Sequence, residues 1–408
     1  MKLNPAFILI FMSIFSNAQN SEKLKIFIDC QYCGQEFIKQ NLTYVNYVRD
    51  TKEANVHLLF RTQSTASGGT ENTIEFIGKD EFKNQSDTVI FSFEPNLTQD
   101  EQRRIRLKYI KAGLIPFLLK NNQLNDVEIT STLIEQEDNS KVKDKWDYWV
   151  FNLSANGWFN GQSTYNSFNS WSNISADRVT EKWRIGISVG MQYNESNYIF
   201  SDGSSAKAIQ RSQFGDVNFV KSISQHWSVG LFGDLNSSIY SNLKFSQNLN
   251  AGIEYNVFKY ENSSENQLRF VYEIGPRHNK YNETTIYNKN GEWLGEQSFS
   301  IAFMTQKKWG SISSSVSWNN YLHDFNLYNL RFWQNFRIRI LKGLNINLGG
   351  SFNIIKNQIT LPGSGSSDID LLLQQKQQET NFSYWGNAGI SYTFGSIYNN
   401  IVNPRFGF

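Results

Sequence analysis

Residues 183 to 193, WRIGISVGMQY, alternate without a break. Trp183, Ile185, Ile187, Val189, Met191 and Tyr193 are apolar, and Arg184, Gly186, Ser188, Gly190 and Gln192 are small or polar. A period of two is the period of a strand, because successive side chains leave opposite faces of the pleat. The rhythm recurs along the chain from Trp146. Leu249, Ala251, Ile253 and Tyr255 oppose Lys244, Asn250 and Glu254; Leu268, Phe270, Tyr272 and Ile274 oppose Arg269, Glu273 and Arg277. Leu330, Phe332, Phe336, Ile338 and Ile340 oppose Arg331, Asn335, Arg337 and Arg339. With weaker segments near 163–178, 206–221, 225–237, 296–307 and 310–321, the count reaches twelve strands.

Most of these segments run about ten to fifteen residues, against about five or six for a usual globular strand. Tilted strands of about nine or more residues are what a bilayer core demands. One stretch alone does not separate a lipid face from the core of a soluble sandwich, and the connections are an independent test. With strand one running outward, the even-to-odd turns are short: SISQHW, KKWGS and LKGL. The longer RHNKYNETTIYNKNGEWLGEQ and TLPGSGSSDIDLLLQQKQQETN fall on the other side, and FKYENSSENQ alone is long for an inner turn. Pro276, Pro362 and Pro404 are read at strand ends or in loops. The expected fold is mainly β, a twelve-stranded antiparallel transmembrane β-barrel over 146–408 preceded by a small α+β domain.

That first domain, residues 20–140, reads as β-α-β-β-β-α. KLKIFIDC is a strand, GQEFIKQNLTYVNYVRD a helix, and NVHLLFRT, NTIEFIG and DTVIFSF three further strands. Thr98 to Glu101 form a capping box that opens a helix running to about Leu114, where Pro116 is expected to end or kink it. Ahead of the domain, Lys2, the apolar run Ala6 to Phe15 and Ser16 to Ala18 have the three parts of a secretory signal peptide over residues 1–18.

Composition narrows the classes. The net charge of +2 argues against a nucleic-acid surface, and a mean hydropathy of −0.47 excludes a bundle of membrane helices. The two cysteines, Cys30 and Cys33, stand where a strand meets a helix. Export favours a disulfide between them. A thioredoxin-like redox pair is the competing reading, but no proline lies between Cys33 and Glu94 to stand beside such a disulfide. No metal site is expected, since only His57 lies nearby.

The predicted barrel interior carries Arg184, Lys244, Arg269, Arg277, Arg331, Arg337 and Arg339 against Asp216, Asp234, Glu254 and Glu273. Two readings stand: the charges neutralise one another in a filled lumen, or an excess of arginine lines a narrow passage for anionic solutes. The candidate lumen-lining set is Arg184, Glu254, Arg269, Glu273, Arg277, Arg331, Arg337 and Arg339. A barrel-borne lipid hydrolase would need a serine activated by a histidine. His226 falls in an inner turn and His278 and His323 at outer loops, so no catalytic residue is assigned.

The segments FIDCQYC, YVNYVRD, VHLLFRT, LLLQQKQQET and SYTFGSIYNNIVNPRF resemble an uncharacterised family of outer-membrane proteins common in Bacteroidota and neighbouring phyla. The resemblance implies a bacterial outer-membrane location with the first domain in the periplasm, and it brings no activity and no catalytic residue. Phe408 also resembles the terminal aromatic of a barrel assembly signal, although alternation stops near Asn399 and YWGNAGISYTFGSI is the alternative segment. The expected function is a small porin-like channel or surface scaffold, with a barrel-borne lipid hydrolase or a barrel-anchored periplasmic binding module as alternatives. No cofactor is implied. The expected partners are outer-membrane lipid, the barrel assembly machinery and a periplasmic partner of residues 20–140.

Overall fold

A computed structural model describes residues 23–30, 33–65, 69–121, 123, 145–341, 343–365, 376–400 and 405. The expected signal peptide, the polar connection after Gln123, most of the late loop and Phe408 lie outside the described residues.

The described residues form two sheets. The first belongs to an N-terminal module with β1 (Lys25–Asp29), α1 (Gln35–Asn41), β2 (Asn46–Tyr47), β3 (Val56–Ser64), β4 (Thr70–Gly78), β5 (Ser86–Phe93) and α2 (Gln99–Lys120). Its strand order is β2-β1-β3-β4-β5, with β1 parallel to β2 and β3 and the rest antiparallel. Ile26, Leu58, Ile74 and Phe76 on the sheet close over Ile38, Ile110, Leu114 and Phe117 on the two helices. Burial of these side chains at roughly 1.5–3 kcal/mol each drives the fold of the module.

Two expectations about the module are corrected. The first helix ends at Asn41, not near Asp50, and Asn46 and Tyr47 form a short edge strand instead. The Tyr47 hydroxyl donates to the Leu42 carbonyl at 2.7 Å, which closes the chain after that early end. The second helix is not stopped by Pro116 and continues to Lys120. A proline removes one N–H and crowds one carbonyl, and the single turn beyond it is held by Phe117 and Leu118, both almost fully buried. Its start follows the capping box, with Thr98 Oγ1 accepting from the Glu101 N–H and the Glu101 carboxylate accepting from the Thr98 N–H.

The second sheet holds twelve antiparallel strands in consecutive order: β6 (Trp149–Gln162), β7 (Tyr165–Val179), β8 (Trp183–Ile199), β9 (Ser205–Ser222), β10 (Trp227–Ser238), β11 (Leu243–Asn256), β12 (Asn266–Tyr281), β13 (Gly291–Lys307), β14 (Gly310–Tyr321), β15 (Asp324–Leu341), β16 (Leu344–Ile355) and β17 (Phe382–Tyr392). The strand lengths, from 11 to 18 residues, exceed those of ordinary sheets. Leu153, Val189, Leu231, Leu249 and Ile390 stand exposed on one face, as period two requires. The opposite face turns inward around cavities. Among the described residues no ladder joins β6 to β17, and these two strands are the sheet's edges.

Three details depart from simple alternation. Pro276 lies inside β12, opposite Gly295 of β13. On its other side the ladder to β11 lapses between Arg277 and Ile274, where a proline has no N–H to give. The interior also takes rings: Phe214 and Phe232 fill the space that a Cβ would need at Gly190 and Gly252, so the glycines of the alternating stretches are sockets for aromatic side chains. Lastly, the connections opposite the short turns are themselves brief except at 282–290 and 356–381, so those two carry the asymmetry.

Candidate functional site

The module packs on the barrel at the end that carries the β13–β14 and β15–β16 turns. β3 explains why. Val56, Leu58 and Phe60 face the helices, while His57, Leu59 and Arg61, on the other face of the same strand, are also buried. That second face meets the barrel. Gln306, at the end of β13, donates to the Phe60 carbonyl at 3.1 Å, and the Gly343 N–H donates to Asp50 Oδ2 at 2.9 Å.

Arg339 is the central contact. Its guanidinium donates to both carboxylate oxygens of Asp29, at 3.2 and 3.3 Å, and lies 5.1 Å from the centre of the Phe27 ring. Asp29 Oδ2 also accepts from His57 Nε2 at 2.9 Å, and the His57 ring meets Phe27 edge-on. Burial pushes the Asp29 carboxyl up, but the His57 hydrogen bond and the Arg339 charge outweigh it and hold the group below its ordinary value. Burial likewise pulls His57 down, and its bond to Asp29 restores only part of the loss. The arrangement is therefore a neutral imidazole, an ionised carboxylate and a guanidinium in a row, with His57 Nδ1 buried and without a hydrogen-bond partner among the described residues.

The C-terminal segment holds the module from another side. The Arg49 N–H donates to the Ile397 carbonyl at 2.9 Å and the Asn399 N–H to the Tyr47 carbonyl at 2.8 Å. Asn400 adds side-chain bonds to the Tyr47 N–H and to Asn46. The residues after β17 thus extend the module's sheet beyond β2.

Three cavities follow the polar face. The first, ≈ 580 Å³, lies between module and barrel and is lined by Asp29, Cys30, Cys33, Arg106, Arg337 and Arg339 among others. The second, ≈ 730 Å³, gathers Arg184, Glu254, Arg269 and Glu273 within the barrel. The third, ≈ 380 Å³, contains Arg277 with Glu296. Seven of the eight expected lumen residues thus border a cavity; Arg331 is exposed and borders none of the three. Arg339 differs from expectation in a second way, since it meets the module at the mouth and not a partner across the lumen.

Two of the interior arginines pair with carboxylates. Arg277 forms a two-point contact with Glu296 at 2.6 and 3.0 Å, and Asn248 donates to the same carboxylate. Arg269 stands 3.8 Å from Glu254, which also accepts from the Tyr260 hydroxyl at 2.8 Å. Tyr260 comes from the long β11–β12 turn, so that turn folds back into the interior. Ser188 donates to Asp216 at 2.9 Å.

No protein-family model matches the chain, and no curated protein sequence matches it. Solved structures similar to it include a NanC porin, 8% identical with a TM-score of 0.29 over 60% of this chain and 100% of that one. A Pseudomonas aeruginosa FadL homologue is 9% identical with a TM-score of 0.26 over 60% of this chain and 73% of that one.

Cys30 and Cys33 are joined by a disulfide with a Cα–Cα distance of 6.0 Å, within the usual range. Gly34 follows in the left-handed region at φ 67° as the N-cap of α1, a conformation that costs glycine little. His226 donates its Nδ1–H to the Asn256 carbonyl at 2.7 Å, His278 stacks on Trp293 and His323 on Tyr321. His278 lies within β12 and not in an outer loop.

Sequence reasoning missed Asp29, His57, Arg106 and Glu296. A local signal existed for one of them: Glu296 falls on the polar side of a weak alternating segment. Asp29 and His57 gain their roles through contact with Arg339, which no local pattern records.

Proposed function

We propose that the chain is an outer-membrane β-barrel protein that acts as a small channel, with the N-terminal module seated as a cap on its periplasmic mouth. The observation that carries this reading is the docked module itself: its strand β3, buried on both faces, sits against the barrel, and the Arg339–Asp29 contact joins the module to the barrel mouth. The apolar outer face supports a bilayer setting, where hydrocarbon takes the place of a core. The paired interior charges keep the lumen polar, and cavities of ≈ 730 and ≈ 380 Å³ lie among them.

Planar-bilayer conductance of the refolded protein tests the proposal. Full-length protein should conduct weakly or intermittently, and Arg339→Glu, which sets two carboxylates against each other, should raise conductance or opening frequency. Silence in both forms would leave the barrel as a surface scaffold, the reading favoured by the Arg277–Glu296 and Arg269–Glu254 pairs.

A further inference from the structure

Four tryptophans, Trp158 on β6, Trp171 on β7, Trp333 on β15 and Trp385 on β17, face the barrel interior. Register fixes that direction. Trp333 stands opposite Ser351 of β16, and Ser351 stands opposite Trp385. By alternation they share a face with Arg337, Asn347 and Ser391, which line the cavity between module and barrel. Trp158 stands opposite Asn169, and Trp171 between Asn156 and Gln192, on the face away from the exposed Leu153, Phe159 and Ile174. Trp333 and Trp385 thus lie two strand spacings apart, about 9–10 Å, with only a serine between them. Trp158 and Trp171 are diagonal neighbours, about 7–8 Å apart.

An indole turned towards a watery lumen is out of place unless something covers it. Trp158 keeps 55% of its surface exposed and Trp385 54%, while Trp171 and Trp333 are half-buried. Among the described residues none of the four side chains has a hydrogen-bond or ring partner. Amides and hydroxyls surround them. The inward positions of β6, β16 and β17 hold residues such as Asn152, Asn156, Asn347, Asn353, Ser383 and Asn387, and none of them is charged. Asp177 on β7 and the arginines of β15 border this wall. The cavity with Arg184, Glu254, Arg269 and Glu273 and the one with Arg277 and Glu296 belong to other strands, β8 and β11 to β13.

The wall is matched to one class of ligand. An anion finds no cation on β6, β16 or β17. An aliphatic chain would cover the rings, but it would strip water from the amides between them and return no hydrogen bond. A neutral sugar meets both demands, because one face of its ring is C–H surface and its rim is hydroxyl. Asn and Ser side chains can donate and accept in turn. From this juxtaposition we infer that the tryptophan-bearing wall binds a neutral oligosaccharide, with sugar rings laid on the indoles and hydroxyls bonded to the Asn and Ser side chains between them. The spacing of the indoles asks for more than one sugar unit. The inference deepens the channel reading by naming a solute class, and it rests on that reading for passage but not for binding.

Isothermal titration of the full-length protein in a zwitterionic detergent, which has no sugar headgroup to compete, tests it. Maltotriose, cellotriose and laminaritriose are the probes, with glucose, gluconate and hexanol for comparison. At least one trisaccharide should bind about tenfold or more tightly than glucose and gluconate, and added salt should leave its affinity unchanged. Trp333→Ala and Trp385→Ala should each weaken binding about tenfold, whereas Trp293→Ala, on the outer face, should leave it as it was. Ser351→Phe fills the gap between two indoles without removing either and should abolish binding, a loss that no folding defect of the alanine variants imitates. No saturable binding of any trisaccharide would overturn the inference. So would preference for hexanol, which assigns an apolar ligand, or undiminished binding in the Trp333→Ala, Trp385→Ala double variant with its thermal midpoint intact. Bilayer conductance of the same preparation separates the two claims: bound sugar without conductance removes the channel and keeps the site, whereas conductance without bound sugar removes the site alone.

Discussion

Arg339 on β15 and Asp29 on β1 stand 310 positions apart in the chain and meet guanidinium to carboxylate, with Nη2 to Oδ1 at 3.2 Å. The pair keeps about a quarter of its side-chain surface exposed, 22% for Arg339 and 25% for Asp29. Solvent therefore screens it, and its contribution to docking is about 1 kcal/mol, near the upper end for exposed pairs because the contact is two-pointed.

Charge reversal should act on docking while leaving both folding units intact. Arg339→Glu or Asp29→Arg alone is expected to expose the β3 face to limited proteolysis, and the double variant should restore protection. Equal protection in all four proteins would show that the C-terminal segment and the backbone contacts hold the module without the ion pair.

Docking should also depend on pH through His57. This residue has no exposed surface, and burial holds its folded pKa below the ordinary 6.5. Between the folded value and 6.5 the unfolded chain binds more protons, so stability is full above pH 6.5 and falls as pH drops through that window. Asp29, held below 3.8, contributes above that value and loses its share only in stronger acid. Hydrogen exchange of β1 and β3 amides should accelerate as pH falls below 6.5, after correction for intrinsic exchange. His57→Gln should flatten that dependence; an unchanged slope would assign it to another group.

The barrel was legible because period two is a local signal repeated twelve times, and each strand reports its face without help from its neighbours. The seat of the module was not. VHLLFRT reads as an ordinary strand, yet His57 and Arg61 are buried because a second body covers the face that period two gives to solvent. The end of the alternation near Asn399 had a cause of the same kind, since Ile397 and Asn399 bond to the module's edge and not to a barrel strand. Phe214 and Phe232 escaped notice because an aromatic on the polar side looks like an error of register until the facing glycine is seen.

Arg277 and Glu296 are more enclosed than the docking pair, with 26% and 17% of their side-chain surfaces exposed. Removing one partner leaves the other in a site built for a pair. Glu296→Ala should cost about 2–3 kcal/mol, less than the roughly 3–5 kcal/mol of a fully buried pair because some water reaches both groups. Replacing both residues by Leu and Met together should recover most of that loss. Denaturant titration of the refolded barrel in lipid vesicles is the measurement. A loss under about 0.5 kcal/mol for Glu296→Ala would mean that the cavity is wet enough to solvate Arg277 alone, which favours an open passage.

The seam between β6 and β17 sets the last test. Among the described residues the twelve-stranded sheet pairs each of the other strands on both sides, and these two keep an unpaired edge. In hydrocarbon each unsatisfied N–H or C=O costs several kcal/mol, so an open seam of this length is incompatible with a bilayer. Strands one and twelve of an up-and-down sheet run in opposite directions, so antiparallel closure needs no change of topology. Leu153 on β6 and Tyr384, Ala388 and Ile390 on β17 share the apolar outer face by alternation. With Leu153→Cys fixed, a set of second cysteines at 384, 388 and 390 should give one crosslinked position in membranes, and its place reports the closing register. Asn387→Cys, on the other face, should not crosslink. Failure at all three outer positions, with the protein inserted and protected from protease, would mean that the two edges stay apart in the bilayer, and a channel bounded by protein on all sides would no longer be tenable.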